Sequence, residues 1–134
     1  MTKMLFTSNY ARFGKDPRAF AISVRPPPWY VGSYLRELAP TWDIVIAYKA
    51  GILTEREYTG AYLEILKSRN INVTNLVKNI PNNSILLCYE KSTDFCHRHI
   101  AAAWLMMHSN VIIQEIADNQ QPEQMLMTKE LLTF

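Results

Sequence analysis

The stretch from Ser84 to Trp104, SILLCYEKSTDFCHRHIAAAW, constrains this chain more than any other part of it. Ile85, Leu86, Leu87 and Cys88 form a short apolar run, Tyr89 to Asp94 turn polar, and Ala101 to Met106 read as helix, so strand, loop and helix follow one another directly. In an open α/β sheet, ligands sit at the carboxyl ends of strands, where the N-terminus of the next helix offers unpaired N–H groups to an anion. Glu90, Cys96, His97 and Arg98 fall at such a place. A site is therefore indicated before any reaction is.

The flanking sequence supplies a sheet to carry that stretch. Lys3 to Ser8 and Ala19 to Val24 are short apolar runs bounded by turn residues, and Val111 to Ile116 is a third, expected beside the first. The spacing predicts helices over 31–38, 43–51, 55–68 and 72–80, the third launched by a capping box in which Thr54 precedes Glu57 by three residues. Asn9 to Pro17 reads as loop. Four strands with helices between them make a small, mainly parallel four-stranded α/β sheet with helices on both faces. Residues 1–116 form the expected single domain, and 117–134 a tail that starts polar and ends amphipathic with Met125, Leu126, Leu131, Leu132 and Phe134.

Bulk properties narrow the class. A length of 134 residues suits one domain with a real core. No apolar run approaches the roughly 18 residues that span a bilayer, and the start carries no signal-peptide pattern, so the cytoplasm is the expected compartment and no membrane partner is expected. There Cys88 and Cys96 are expected as free thiols. No metal site is expected: Cys96, His97 and His99 share one helical turn that spreads them around its axis, while Cys88 sits in a strand. The net charge of +2 is mild, and cations outside Arg12, Lys15, Arg25 and Arg98 form no cluster, which argues against long duplex contacts. A nucleotide or a nucleic-acid end is the better match.

The candidate residues each carry two readings. Arg25 precedes Pro26-Pro27-Pro28, which fix an extended path and hold it at the end of a strand, either as a phosphate ligand or as half of a structural ion pair. Cys96, near a helix N-terminus and beside Arg98, is prepared as a nucleophile or is a small buried hydrophobe. His97 is a general acid or base, or bonds a strand end. Arg98 is expected to complete an anion site over the helix N-terminus, and Glu90 is a base, a ribose ligand or an anchor for an arginine. Arg12 is either an anion ligand or a surface charge. Tyr58 and Tyr62, four apart on one helix face, are core residues or bring hydroxyls to the cleft. Trp29 and Tyr30 read as packing at a helix start, or as a stacking pair for a base.

Leu86-Leu87-Cys88-Tyr89-Glu90, five intervening residues and then Cys96-His97-Arg98, together with Arg25-Pro26, Glu57-Tyr58 and Tyr62, resemble the domain of unknown function 488 family over about Leu5 to Ile116. The resemblance implies a Rossmann-like α/β domain of bacteria, archaea and their viruses, phage included. Its matching positions are Arg25, Tyr58, Tyr62, Cys88, Glu90, Cys96, His97 and Arg98. It implies no established reaction, although suggestions for such domains run toward nucleotide or nucleic-acid processing. The Pro26-Pro27-Pro28 run departs from the usual loop there.

Three functions compete on the sequence. The first is an enzyme acting on a phosphate-bearing nucleotide or nucleic-acid substrate through Cys96, His97 and Glu90, with Arg25, Arg98, Tyr58, Tyr62 and Arg12 binding it. The second is a non-catalytic nucleotide or anion-binding module. The third is a viral-type protein-interaction factor using Trp29, Tyr30 and the tail, which would also serve a homodimer. The sequence specifies no cofactor.

Overall fold

The structure is a computed structural model that describes residues 2–122. The amphipathic end of the tail lies outside them, and with it the proposed docking segment. Five parallel strands form one sheet in the order β3-β2-β4-β1-β5: β1 Met4–Asn9, β2 Ala19–Ala21, β3 Ser33–Tyr34, β4 Ile85–Cys88 and β5 Ile112–Glu115. The helices are α1 Tyr10–Phe13, α2 Trp42–Lys49, α3 Glu55–Ser68, α4 Val73–Lys78 and α5 His97–His108. β5 lies beside β1, as the sequence led us to expect.

Successive side chains of a strand point to opposite faces, and here both faces are apolar. Leu5 of β1 and Leu86 of β4 enter a cluster with Tyr62, Leu66, Val77, Ala101 and Leu105, so α3, α4 and α5 cover that face. Phe6, Ile85 and Leu87 enter a second cluster with Tyr10, Phe13 and Tyr30, where α1 and the loop before β3 do the covering. Helices lie on both faces, but unequally among the described residues. Each fully buried Leu, Ile or Phe stabilises the fold by about 1.5–3 kcal/mol.

Local chemistry sets the ends of these elements. Thr54 and Glu57 make the capping box, with Glu57 N–H donating to Thr54 Oγ1 at 3.1 Å and Thr54 N–H to Glu57 Oε1 at 3.0 Å. α2 runs out at Gly51, whose φ of 76° is strained for other residues. Lys3 Nζ donates to the carbonyls of Val77, Lys78 and Ile80, neutralising the exposed end of α4.

Four expectations are corrected. Val31 to Leu38 is not a helix but the edge strand β3 followed by a 3-10 turn, Arg36–Leu38. Ser33 and Tyr34 pair with Phe20 and Ala21, and Leu35 N–H donates to Ala21 O at 2.9 Å, so ladder bonds to β2 outweigh a helix that would have to run through Gly32. This pairing makes the sheet five-stranded rather than four-stranded. β2 stops at Ala21 instead of reaching Val24, and the presumed loop 9–17 contains α1, capped by Asn9 Oδ1 accepting from Arg12 N–H at 3.1 Å.

Candidate active site

The carboxyl ends of β2 and β4 part around a cavity of about 390 Å³. One wall is the segment Ser23 to Pro28, which leaves β2; another is α2, through Trp42, Val45, Tyr48 and Lys49; the third is the chain from Cys88 to His97. Tyr58 reaches in from α3. Tyr48, Tyr58 and Phe95 pack edge to face or tilted, with ring centroids 5.1–5.5 Å apart, and make the aromatic lining.

The loop carrying Arg25 is held from below. Tyr89 Oη donates to Arg25 O at 2.7 Å, Ser23 Oγ donates to the same carbonyl at 3.1 Å, and Tyr10 Oη bonds Ser23 Oγ at 2.5 Å. The Arg25 guanidinium lies 5.8 Å from the Trp42 ring centroid and is exposed to solvent. Arg25 is thus a fixed backbone with a free cationic head at the rim, and exposed Lys49 lies on the wall nearby.

His97 and Cys96 form the floor. His97 is buried, and its Nε2 lies 2.6 Å from Ile22 O; a carbonyl only accepts, so Nε2 carries the proton and Nδ1 carries the lone pair. Nδ1 lies 4.0 Å from Cys96 Sγ. Burial pushes the His97 pKa down to about 4, aided by Arg98 and His99 and opposed by the Ile22 bond. The imidazole is therefore neutral at pH 7. Cys96 itself is the N-cap of α5, at the positive end of the helix dipole.

The expectation of free thiols is corrected: Cys88 and Cys96 are joined in a disulfide. Cys88 ends β4 and Cys96 starts α5, and the seven residues between them fold back so that the two sulfurs meet on the cavity wall. The two sulfurs and a nitrogen of His97 lie within 4.8 Å of one another, a convergence that sequence spacing concealed. They are donors of the types that hold zinc, but sulfurs bonded to each other are not thiolates, so the joined pair does not fit an ion.

Of the residues singled out in the sequence, Cys96, His97, Glu90, Arg25 and Tyr58 line this cavity, as does Cys88. Arg98 does not. It is completely buried, with Nε and Nη2 donating to Glu115 at 3.0 and 2.9 Å and Nη1 donating to Cys88 Sγ at 3.3 Å. Its side chain is turned inward to satisfy its charge, which removes it from ligand contact. Tyr62 is likewise enclosed, its hydroxyl donating to Leu38 O at 2.7 Å. Arg12 lies elsewhere, donating to Ala117 O at 2.6 Å and Gln120 O at 2.5 Å, and so ties the start of the tail to α1. Trp29 stands over Gly14, where a Cβ would meet its ring at 2.4 Å, away from the cavity. Ser8, near the carboxyl end of β1, is buried.

Sequence reasoning missed the α2 wall. Trp42, Val45, Tyr48 and Lys49 recur at spacings of three, three and one, the mark of one helical face, and that signal was present in the sequence.

An all-parallel sheet with its cavity at the strand ends and at a helix N-terminus defines a Rossmann-like α/β domain. The chain belongs to the DUF488 family: residues 12–109 match DUF488-N3a, described as the active DUF488-N3 subclade. No curated protein and no solved structure matches the chain. No helix among the described residues is long and apolar enough to cross a membrane.

Proposed function

We propose that the cavity takes a nucleotide or the phosphate-bearing end of a nucleic-acid strand, and that Cys96, in its reduced form, attacks phosphorus. The observation that carries this reading is the Cys96 sulfur at the N-terminus of α5 and beside His97 Nδ1, on the floor of an aromatic cavity with a cationic rim. Tyr48, Tyr58 and Phe95 offer flat apolar surface to a base, and Arg25 and Lys49 offer charge to a phosphate. In this proposal they take the part that the sequence suggested for Arg98.

The helix dipole of α5 favours the Cys96 thiolate, which attacks phosphorus after its proton has passed to solvent, with the lone pair of neutral His97 Nδ1 4.0 Å from the sulfur. With its pKa depressed to about 4, His97 stays neutral through the step, and the departing oxygen takes its proton from solvent. Glu90, at the cavity wall, activates the water that then releases phosphate from sulfur. The cytoplasm, where the sequence suggests the chain resides, keeps thiols reduced and the nucleophile available.

The test is a thermal-shift screen of the reduced protein against nucleotides and short oligonucleotides, followed by assay of phosphate release. A ligand at a hundred times its Kd adds about 2.7 kcal/mol of stability. Cys96→Ser is expected to keep the shift and lose release. Absence of any shift across the panel overturns the proposal. The disulfide favours a second reading, a non-catalytic nucleotide-binding module, because the joined pair has no nucleophile while the aromatic walls and Arg25 remain. Binding without phosphate release by the reduced wild-type chain would select it.

A further inference from the structure

We propose that Cys88 and Cys96 are an oxidisable dithiol whose oxidant is a hydroperoxide, with Cys96 the sulfur that reacts first and Cys88 the sulfur that resolves it. This rests on the reading of Cys96 as a nucleophile and adds to it a role for Cys88, which that chemistry leaves unused. Closing the pair withdraws the nucleophile and switches the site off; a thiol reductant reopens it.

The two sulfurs occupy different surroundings. Cys96 caps α5, whose helix dipole favours its thiolate, and its sulfur faces the neutral His97 Nδ1 at 4.0 Å. Cys88 is approached from the interior by Arg98, whose Nη1 donates to its sulfur at 3.3 Å. Arg98 has no exposed surface and is held by Glu115, so its positive charge stands permanently beside Cys88 and favours the thiolate. A thiolate that is shielded from the interior side, yet near enough to bond Cys96, has the placement of a resolving cysteine. Both residues line the cavity, which is far larger than a small peroxide needs.

The steps balance. The Cys96 thiolate attacks one oxygen of the peroxide, the O–O bond breaks, and the leaving oxygen takes a proton and departs as water or alcohol; Cys96 becomes a sulfenic acid. The Cys88 thiolate then attacks the Cys96 sulfur, the S–O bond breaks, hydroxide leaves with a proton as water, and the S–S bond forms. The dithiol has lost two electrons and the peroxide has gained them. Two molecules of a thiol such as glutathione return both electrons through a mixed disulfide and leave as their own disulfide.

The experiment treats the reduced full chain with one equivalent of hydrogen peroxide and follows intact mass and maleimide labelling. The expected product has lost two hydrogens and both labels, and glutathione restores both. In Cys88→Ser the oxidised sulfur stays as a sulfenic acid that dimedone traps on Cys96; Cys88→Ala gives the same readout if the serine variant folds poorly. Wild-type protein that keeps both labels after oxidation overturns the proposal, as does dimedone trapped on Cys88 in Cys96→Ser at the rate seen for Cys96 in Cys88→Ser. No nucleotide is involved, so a chain that cycles but binds none refutes the nucleotide reading alone, and one that binds but does not cycle refutes this one alone.

Discussion

Arg98 and Glu115 hold each other at the end of β5, with both oxygens of the carboxylate taken by Nε and Nη2 of one guanidinium at 3.0 and 2.9 Å. Thr7 Oγ1 adds a bond to Glu115 Oε1 at 2.6 Å, and the second Nη of Arg98 turns to Cys88. The arginine of the Cys-His-Arg signature thus ties β1, β4, β5 and α5 together. Removing one partner of such a pair leaves the other charge buried and unpaired, which costs about 3–5 kcal/mol. Glu115→Ala is expected to lower the urea midpoint accordingly with little change in slope, and Arg98→Met combined with Glu115→Leu to recover most of the loss. A double variant that loses the sum of what Arg98→Met and Glu115→Leu lose singly would show that the pair is not coupled.

His97 ties stability to pH. Its pKa falls from 6.5 in the unfolded chain to about 4 in the folded one, so between those values the unfolded state binds more protons. The stability it contributes is fully present above about pH 6.5 and is lost as pH falls toward 4, by about 3 kcal/mol in all. Burial lowers the His99 pKa as well, with the same sign. Denaturation midpoints measured from pH 7.5 to 4 are expected to fall, and His97→Gln to remove the larger part of that slope. A variant with the wild-type slope would assign the proton to another group.

Tyr58 and Tyr62 look alike in sequence and separate in the structure. Tyr62 donates to Leu38 O inside the core, and Tyr62→Phe leaves that carbonyl without its partner, a loss of about 1–3 kcal/mol. Tyr58 lines the cavity, and Tyr58→Phe is expected to change stability by less than Tyr62→Phe and to act on ligand binding instead. Urea denaturation and nucleotide titration of the two variants check the separation.

Elements with a strong local signal were legible in the sequence. Thr54 and Glu57 announced α3 because a capping box is built from neighbours, and Ile85 to Cys88 announced the central strand because its apolar run is unbroken. β3 was not legible, since two exposed residues become a strand only when β2 offers an edge to pair with. The direction of a long side chain was hidden for the same reason. Arg98 stands where a phosphate ligand is expected, and only the fold shows that Glu115, seventeen residues on, has claimed it. The Cys88–Cys96 pairing depends on the path of the intervening loop, which neither propensity nor spacing fixes.

With Arg98 committed to Glu115, Arg25 and Lys49 are the cations left on the cavity for a phosphate among the described residues. Both are exposed and neither anchors the core, so Arg25→Ala and Lys49→Ala are expected to leave the urea midpoint within about 0.5 kcal/mol of wild type. A charge-assisted hydrogen bond to phosphate is worth roughly 1.5–3 kcal/mol, and Arg25, with its backbone carbonyl fixed by Tyr89 and Ser23, loses less freedom than Lys49 on binding. Arg25→Ala is therefore expected to weaken nucleotide binding by roughly ten- to a hundredfold, Lys49→Ala by less, and both effects to shrink as salt rises toward 1 M, where charges are screened within about 3 Å. Isothermal titration at two salt concentrations measures this directly. Nucleotide affinity unchanged in Arg25→Ala would mean that the phosphate does not sit at this rim.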